Sequence, residues 1–235
     1  MAAPQTGTRP TAGTTGQAER GDDRKTASFT VGRPGRTVRI GVISDTHGLL
    51  RPEALEELRK VDLLIHAGDV GNAEVLDGLR KVARAFVVRG NNDEGSWAKT
   101  LPDAVSVEVG ETKLYVLHEL SRLDFDPVAA GFSVVVSGHS HRPSVVRRDG
   151  ILYLNPGSAG PRRFTLPITV ATLSVSGRRI RARIVELDGA LTRSAAGASR
   201  GTPRRPRGSP RSPAPGRRGL DRAPRALGRA RRPSR

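Results

Sequence analysis

The sequence predicts an α/β protein whose mixed β-sheets pack on each other. Three observations lead to this prediction. Short apolar runs alternate with helical segments in the first half of the central region, and Gly-containing turns join strand-like segments in the second half. The central region, residues 37–189, is also long enough to form one globular domain.

The charge distribution divides the chain into three segments. The formal net charge is +17, but residues 190–235 contain 14 Arg and one Asp, whereas residues 37–189 carry 20 bases and 19 acids. Neither end has the apolar residues that a core requires. We therefore expect a globular domain at 37–189 between a disordered N-terminal extension, residues 1–36, and a disordered, basic Arg/Pro-rich tail, residues 190–235.

Composition also limits the cellular context. The chain has no cysteine, which excludes disulfides and thiolate metal sites, and no apolar run long enough to span a bilayer. The N-terminus lacks the apolar segment of a secretory signal, so we expect a cytoplasmic protein without membrane contacts. The tail could bind nucleic acid weakly and non-specifically, but Arg outnumbers Lys 35 to 5 in the whole chain, which favours a compositional origin.

The first half of the domain predicts a parallel sheet. Three apolar runs are separated by two helical segments, and repeats of this length imply right-handed crossovers between parallel strands. The apolar runs are TVRIGVIS (37–44), VDLLIHA (61–67) and ARAFVVRG (83–90), and the helical segments are PEALEELRK (52–60) and AEVLDGLRKV (73–82).

The second half predicts mostly antiparallel strands. A hairpin with Gly110 at its turn is expected first, and further strands joined by Gly-containing turns follow. These segments are AVSVEVGETKLYVLHE (104–119), FSVVVSGHS (132–140), PSVVRRDGILYLN (143–155), PITVATLSV (167–175) and RRIRARIVELD (178–188).

Residues that can bind metal follow several of these strands. Asp45 and His47 form a D-x-H pair after the first strand, and H-x-H repeats that spacing after FSVVV. In an extended segment, residues i and i+2 project to the same side, so both side chains of a pair can reach one ion. The seven candidates at strand ends are Asp45, His47, Asp69, Asn91, His118, His139 and His141.

The position and chemistry of these candidates indicate a metal site. Ligands of open α/β sheets collect outside the carboxyl ends of the strands. Imidazole, carboxylate and amide ligands without sulfur suit Mn²⁺, Fe²⁺, Ni²⁺, Co²⁺ or Zn²⁺. Seven ligands are too many for one such ion, so two ions roughly 3.5–4 Å apart, bridged by one carboxylate, fit better.

The order D-x-H, GD, GN, H, GH-x-H resembles the calcineurin-like metallophosphoesterase superfamily, and within it the YfcE-type phosphodiesterases, over roughly residues 38–187. The resemblance implies the fold of that superfamily, two mixed β-sheets packed as a sandwich and flanked by helices. It also implies two divalent ions, expected to be Mn²⁺, with Ni²⁺, Fe²⁺, Co²⁺ or Zn²⁺ as alternatives. The implied first ion is held by Asp45, His47 and His141, the second by Asn91, His118 and His139, and Asp69 bridges both.

The mechanism that the resemblance implies is in-line attack on a small phosphoester by a hydroxide bridging the two ions. Asp69 and Asn91 would then act in catalysis through the ions they hold. Many members have a His after the GN pair that helps to protonate the leaving group or to steady the phosphate, and here that position is Asn92, which cannot be a general acid. The resemblance therefore implies a preference for good leaving groups. His118 is followed by Glu119, where relatives often have Gly.

Other readings of the sequence stay open beside this one. A non-catalytic scaffold of the same fold, like the retromer subunit, would act through protein contacts, and a nucleic-acid-associated protein would act through its tail. We expect His66 to be a buried, hydrogen-bonded residue and Asp93 to orient its own loop. Arg162 and Arg163 could either steer a phosphate or form a solvated edge. The substrate and the oligomeric state are not determined by the sequence.

Overall fold

A computed structural model of the chain describes residues 26–31 and 36–187. These residues contain eleven strands, two α-helices and two short 3-10 turns at Ala98–Thr100 and Leu120–Arg122. The strands and helices are β1 (Thr26–Val31), β2 (Val38–Ile43), α1 (Pro52–Leu58), β3 (Leu63–His66), α2 (Ala73–Val82), β4 (Arg84–Val87), β5 (Ala104–Val109), β6 (Thr112–Leu117), β7 (Val134–Val136), β8 (Ser144–Arg148), β9 (Ile151–Asn155), β10 (Thr169–Ser176) and β11 (Arg179–Glu186). No described helix has the length and apolarity to cross a membrane.

The strands form two mixed sheets, as the sequence predicts. The first sheet has the strand order β1-β5-β6-β7-β9-β8, and the second has the order β11-β10-β2-β3-β4. In the second sheet β2, β3 and β4 are parallel, and β10 joins them antiparallel to β2. In the first sheet β5–β6 and β8–β9 are antiparallel, whereas β6–β7 and β7–β9 are parallel.

The main apolar core lies where the inner faces of the two sheets meet. Alternation along the strands supplies it: Ile40 and Val42 of β2 are fully buried in the same cluster as Val107 and Leu114 of the first sheet. Each side chain of this size stabilises the fold by about 1.5–3 kcal/mol when it leaves water. This core therefore fixes the register of the strands that end at the functional site.

The helices cover the outer face of the second sheet. Helix α1 begins with Pro52, whose fixed φ suits the first helical turn. Helix α2 begins after Asn72, whose side chain accepts a hydrogen bond of 3.1 Å from the backbone N–H of Val75. Leu58 of α1 and Leu79 of α2 are fully buried against the sheet in a second apolar cluster.

The N-terminal extension differs from the prediction. We expected residues 1–36 to be disordered, but Thr26–Val31 forms β1, which pairs in parallel with β5 at the edge of the first sheet. The expectation overlooked a short period-2 alternation in TASFTV, where Ala27, Phe29 and Val31 pack against the main core. The Phe29 ring also packs on the Phe86 ring, with centroids 4.8 Å apart. Residues 1–25, 32–35 and 188–235, which include the basic tail, lie outside the described residues.

Phe29 provides a test of whether β1 belongs to the core. Replacing it with Ala removes a half-buried aromatic ring, so we expect Phe29→Ala to lower the free energy of unfolding by about 1.5 kcal/mol in urea titrations. Thr30→Ala on the solvent-facing side of the same strand should change it by less than about 0.5 kcal/mol. Equal stability of the Phe29→Ala protein and the wild type would contradict this packing.

Candidate metal centre

Five strand ends meet at one edge of the sandwich and form the candidate site. Strands β2, β3 and β4 are parallel, so their carboxyl ends lie together and lead into the loops that contain Asp45, Asp69 and Asn91. The parallel pairing of β6 with β7 then places His118 and His139 at a shared edge of the first sheet. The second half of the domain, which we predicted to be mostly antiparallel, therefore includes a parallel pair that brings these two histidines to the same edge.

The first cluster consists of Asp45, His47 and His141. One ligand atom from each lies within 4.8 Å of the others. The Asp45 Oδ1 atom is 3.2 Å from Nε2 of His141, and the Nε2 atoms of His47 and His141 are 3.3 Å apart. Asp45 and His141 are buried, and His47 is half-buried.

The second cluster centres on the side-chain oxygen of Asn91. This Oδ1 atom lies 3.0 Å from Nε2 of His118 and 3.0 Å from Nδ1 of His139. His118 is buried, whereas Asn91 and His139 are exposed, so the cluster opens to solvent on one side. The Nδ1 atom of His118 lies 2.8 Å from the Ala67 carbonyl, which orients the ring with Nε2 towards the cluster.

Asp69 lies between the two clusters. Its Oδ2 atom is 3.8 Å from Nε2 of His47 and 3.4 Å from Nε2 of His118. Burial alone would raise the pKa of Asp69, but hydrogen bonding with His118 and Asn92 outweighs burial and lowers this pKa below its usual range. The carboxylate is therefore ionised and placed where one group can reach ligands of both clusters.

Two buried polar atoms of the first cluster indicate that the residues fit a cation. Asp45 Oδ1 and His141 Nδ1 have no hydrogen-bond partner among the described residues, although buried polar atoms are normally paired. Asp45 Oδ1 lies at ion-pair distance from His141, but the two atoms do not form a hydrogen bond. A divalent ion would give this carboxylate oxygen the partner it lacks, and the nitrogen and oxygen donors suit Mn²⁺, Fe²⁺, Co²⁺, Ni²⁺ or Zn²⁺.

The pKa values of His47 and His118 are shifted in opposite directions. Burial lowers the pKa of His47, which keeps its imidazole neutral as a metal ligand must be. Burial would also lower the pKa of His118, but the adjacent Asp69 carboxylate and the Ala67 carbonyl outweigh it and raise this pKa. Because a raised pKa makes protons compete more strongly with an ion for His118 as the pH falls, metal affinity should increase with pH.

The backbone at the site is strained. Five of the seven predicted ligands have φ between 45° and 66°, a left-handed region that costs a non-glycine residue about 1–3 kcal/mol. These residues are Asp45, His47, Asp69, His139 and His141. Two backbone hydrogen bonds of 3.0 Å join the loop after β2 to the loop after β3. The N–H of Asp45 donates to the Gly68 carbonyl, and the N–H of His47 donates to the Asp69 carbonyl.

The structure assigns contacts to Asn92 that the sequence did not reveal. Its backbone N–H donates to Asp69 Oδ1 at 2.9 Å, and its side-chain amide donates to Asp69 Oδ2 at 2.6 Å. Asn92 therefore orients the carboxylate between the clusters as well as occupying the position of the missing histidine. No sequence pattern indicates this contact, because residues 69 and 92 follow different strands.

His66 and Asp93 have the surroundings that we expected. His66 is fully buried, its Nε2 lies 2.9 Å from the Thr46 hydroxyl, and its Nδ1 accepts from the backbone N–H of Gly68 at 3.2 Å. Asp93 accepts from the backbone N–H groups of Gly90 and Gly71, both at 2.8 Å. Asp93 thus orients its own loop and also holds it against the loop that follows β3.

Comparison with known proteins identifies the family. Residues 38–178 match the calcineurin-like phosphoesterase superfamily domain. The chain is 35% identical over 167 residues to a probable metallophosphoesterase of Methanocaldococcus jannaschii, a match that covers 66% of this chain and 84% of the relative. A phosphodiesterase of the same organism is 26% identical over 172 residues, which are 63% of this chain and 100% of that protein. This chain belongs to the calcineurin-like phosphoesterase superfamily.

Solved structures show the same fold. Vps29 of Chaetomium thermophilum aligns with a TM-score of 0.54 at 18% identity, over 63% of this chain and 96% of its own. Together with the family match, the two mixed sheets of this chain confirm the calcineurin-like fold that the order of motifs predicted.

His66 makes the unfolding free energy depend on pH. Its ordinary pKa is 6.5 and burial lowers this pKa to about 4, so between these values the unfolded chain binds a proton that the folded chain does not. The contribution of His66 is therefore complete above pH 6.5 and is lost as the pH falls towards 4. In urea titrations of metal-free protein, the free energy of unfolding of the wild type should fall between pH 7 and pH 5 by about 2 kcal/mol more than that of His66→Gln. Parallel pH profiles for the two proteins would argue against a neutral His66.

Asn92→Ala tests whether orienting Asp69 matters for metal binding. The substitution removes the 2.6 Å side-chain hydrogen bond, and loss of such a partner to a ligand typically weakens metal affinity about 10-fold or more. Calorimetric titration with Mn²⁺ should show this loss, whereas Glu94→Ala, an exposed change in the same loop, should leave the affinity unaltered. Wild-type affinity in Asn92→Ala would show that Asp69 needs no support.

Proposed function

We propose that this protein is a metal-dependent phosphodiesterase that hydrolyses small phosphoesters at a site for two divalent ions. The observation that carries the proposal is the position of the ionised Asp69 between two clusters of nitrogen and oxygen ligands. A carboxylate in this position can bind two ions at once, which is the arrangement that in-line displacement at phosphorus uses. The phosphodiesterase of M. jannaschii supports the proposed reaction.

The proposed roles follow the two clusters. Asp45, His47 and His141 hold one ion, and the second is held by Asn91, His118 and His139. Two bound divalent ions would supply an activated water and positive charge for the phosphoryl oxygens. Mn²⁺ is the proposed ion, because the ligand set has no sulfur and three of its members are oxygen donors.

Proton donation to the leaving group limits the proposed substrates. Asn92 donates its side-chain amide to Asp69 and has no ionisable group, so it cannot protonate a departing oxygen. Water must then provide this proton, and leaving groups of low pKa should be cleaved faster than alkyl alcohols. Aryl phosphodiesters, such as nitrophenyl esters, are therefore the proposed test substrates.

A non-catalytic scaffold of the same fold would differ from the proposed enzyme in its retention of metal. Vps29 shares the fold, but at 18% identity it does not extend its role to this chain. All seven predicted ligand types are present, and Asp45 and Asp69 are ionisable groups buried beside histidines. A scaffold without a functional site would retain no Mn²⁺ after dialysis against micromolar ion, whereas the proposed enzyme retains it.

Asp69→Ala tests the proposed function directly. Removal of the Asp69 carboxylate, which lies close to both clusters, should abolish Mn²⁺-dependent hydrolysis of bis-p-nitrophenyl phosphate, a loss of at least about 1,000-fold in kcat/KM. Asp77→Ala, an exposed change on α2, is the matched control and should retain full activity. Undiminished turnover in Asp69→Ala, or turnover in the presence of excess chelator, would contradict the proposal.

A further inference from the structure

A loop without an assigned role, residues 160–166, borders the metal centre. Its first residue packs so closely on the backbone of Asp45 and Thr46 that a Cβ atom at Gly160 would overlap their carbonyl groups. The Arg51 guanidinium donates to the Gly160 carbonyl at 3.2 Å, and Arg162 donates to the Leu166 carbonyl at 3.2 Å. The Gly160 end of the loop is therefore held beside the first cluster, and the Arg162 hydrogen bond closes the loop on itself.

Arg163 extends from this loop to the first cluster. Its Nη2 atom is 3.3 Å from Nε2 of His47, the same nitrogen that faces His141 and Asp69. A nitrogen that binds an ion has no lone pair left for a hydrogen bond, so occupation of the site would free this guanidinium. Arg163 is exposed and would then be a cation beside the centre, with donors in a fork that matches a phosphoryl group.

Phe164 is exposed at the tip of the same loop. Its side chain is 92% exposed and its backbone has a φ of 53°, which a bulky residue adopts only at a cost. The four other phenylalanines all pack against aromatic neighbours, whereas Phe164 has no ring partner in the described part of the chain. Phe164 is therefore a large aromatic ring that the loop holds in solvent next to Arg163.

We propose that residues 160–166 form a substrate-recognition loop, in which Arg163 binds a non-bridging phosphoryl oxygen and Phe164 stacks on a planar aromatic substituent of the same phosphoester. The inference rests on the proposed function, because it assigns the substrate class for that site. Adjacent residues of one short loop reach the two parts of such a substrate, the anion at the ligand cluster and the ring outside it. The preferred substrates are therefore aryl or nucleobase-containing phosphoesters, and alkyl phosphoesters bind less tightly.

Recognition by the loop is separable from leaving-group chemistry. An aryl ester is cleaved faster than an alkyl ester for chemical reasons alone, so rates do not isolate a stacking contact. Phenylphosphonate and methylphosphonate have a P–C bond in place of the scissile ester bond. The ratio of their dissociation constants therefore measures recognition of the ring without any turnover.

The test measures both dissociation constants by calorimetry on the Mn²⁺-loaded full-length chain. Phe164→Ala should reduce the preference for phenylphosphonate about 10-fold and leave methylphosphonate binding unchanged, because aromatic stacking is lost. Phe164→Tyr retains the ring and should retain the preference. Arg163→Gln should weaken the binding of both phosphonates by about 10-fold, since a charged hydrogen bond to the phosphoryl group is lost.

Two controls make the outcomes distinct. Arg178→Gln, at the exposed β10–β11 turn, should bind both phosphonates as the wild type does. Affinity for Mn²⁺ alone should not fall in Arg163→Gln, because the guanidinium is not a ligand. An unchanged phosphonate preference in Phe164→Ala, or unchanged binding of both phosphonates in Arg163→Gln, overturns the inference while leaving the phosphodiesterase assignment intact. A wild-type protein that hydrolyses no phosphoester overturns the proposed function itself, and the role of the loop with it.

Discussion

The site depends on left-handed backbone conformations in the loops that follow β2, β3 and β7. Five predicted ligands have φ between 45° and 66°, and they lie two to five residues after the ends of these strands, close to the edge of the sheets. This conformation costs about 1–3 kcal/mol at each residue. The apolar core between the two sheets offsets that cost, because it fixes the strands from which the turns begin. Stability in the core is thus used to hold strained ligands in place.

Glycine makes the close packing of these turns feasible. A Cβ atom at Gly90 would overlap the backbone of Asp69, and one at Gly138 would overlap the hydroxyl of Ser44. The GN and GH pairs of the motifs are therefore required for two reasons. The second residue is a predicted ligand, and the glycine allows its loop to contact the loop of a neighbouring strand. Ser44 donates to Asp45 Oδ2 at 2.6 Å, so this packing also leaves the other carboxylate oxygen directed at the cluster.

The structure changes the reading of the asparagine pair after β4. From the sequence alone, Asn91 was a ligand and Asn92 was informative mainly because it is not histidine. In the structure Asn92 donates two hydrogen bonds to the Asp69 carboxylate between the clusters, so this residue orients Asp69. Strand β1 differs from this case, because it does have a local pattern, but its alternation over six residues is too short to stand out within a polar extension.

The sequence by itself determined the elements and the residue types of the site. Hydrophobic periodicity located the strands and helices of residues 38–186, and the order of motifs indicated the fold and all seven candidate ligands. The resemblance implied how the ligands are grouped, but only the tertiary structure decided their distances, because residues such as Asn91 and His118 follow strands of different sheets. It also decided the left-handed turns, the ionisation of Asp69 and the reach of Arg163. These properties arise from contacts between residues distant in the chain, and periodicity and spacing report only on neighbours.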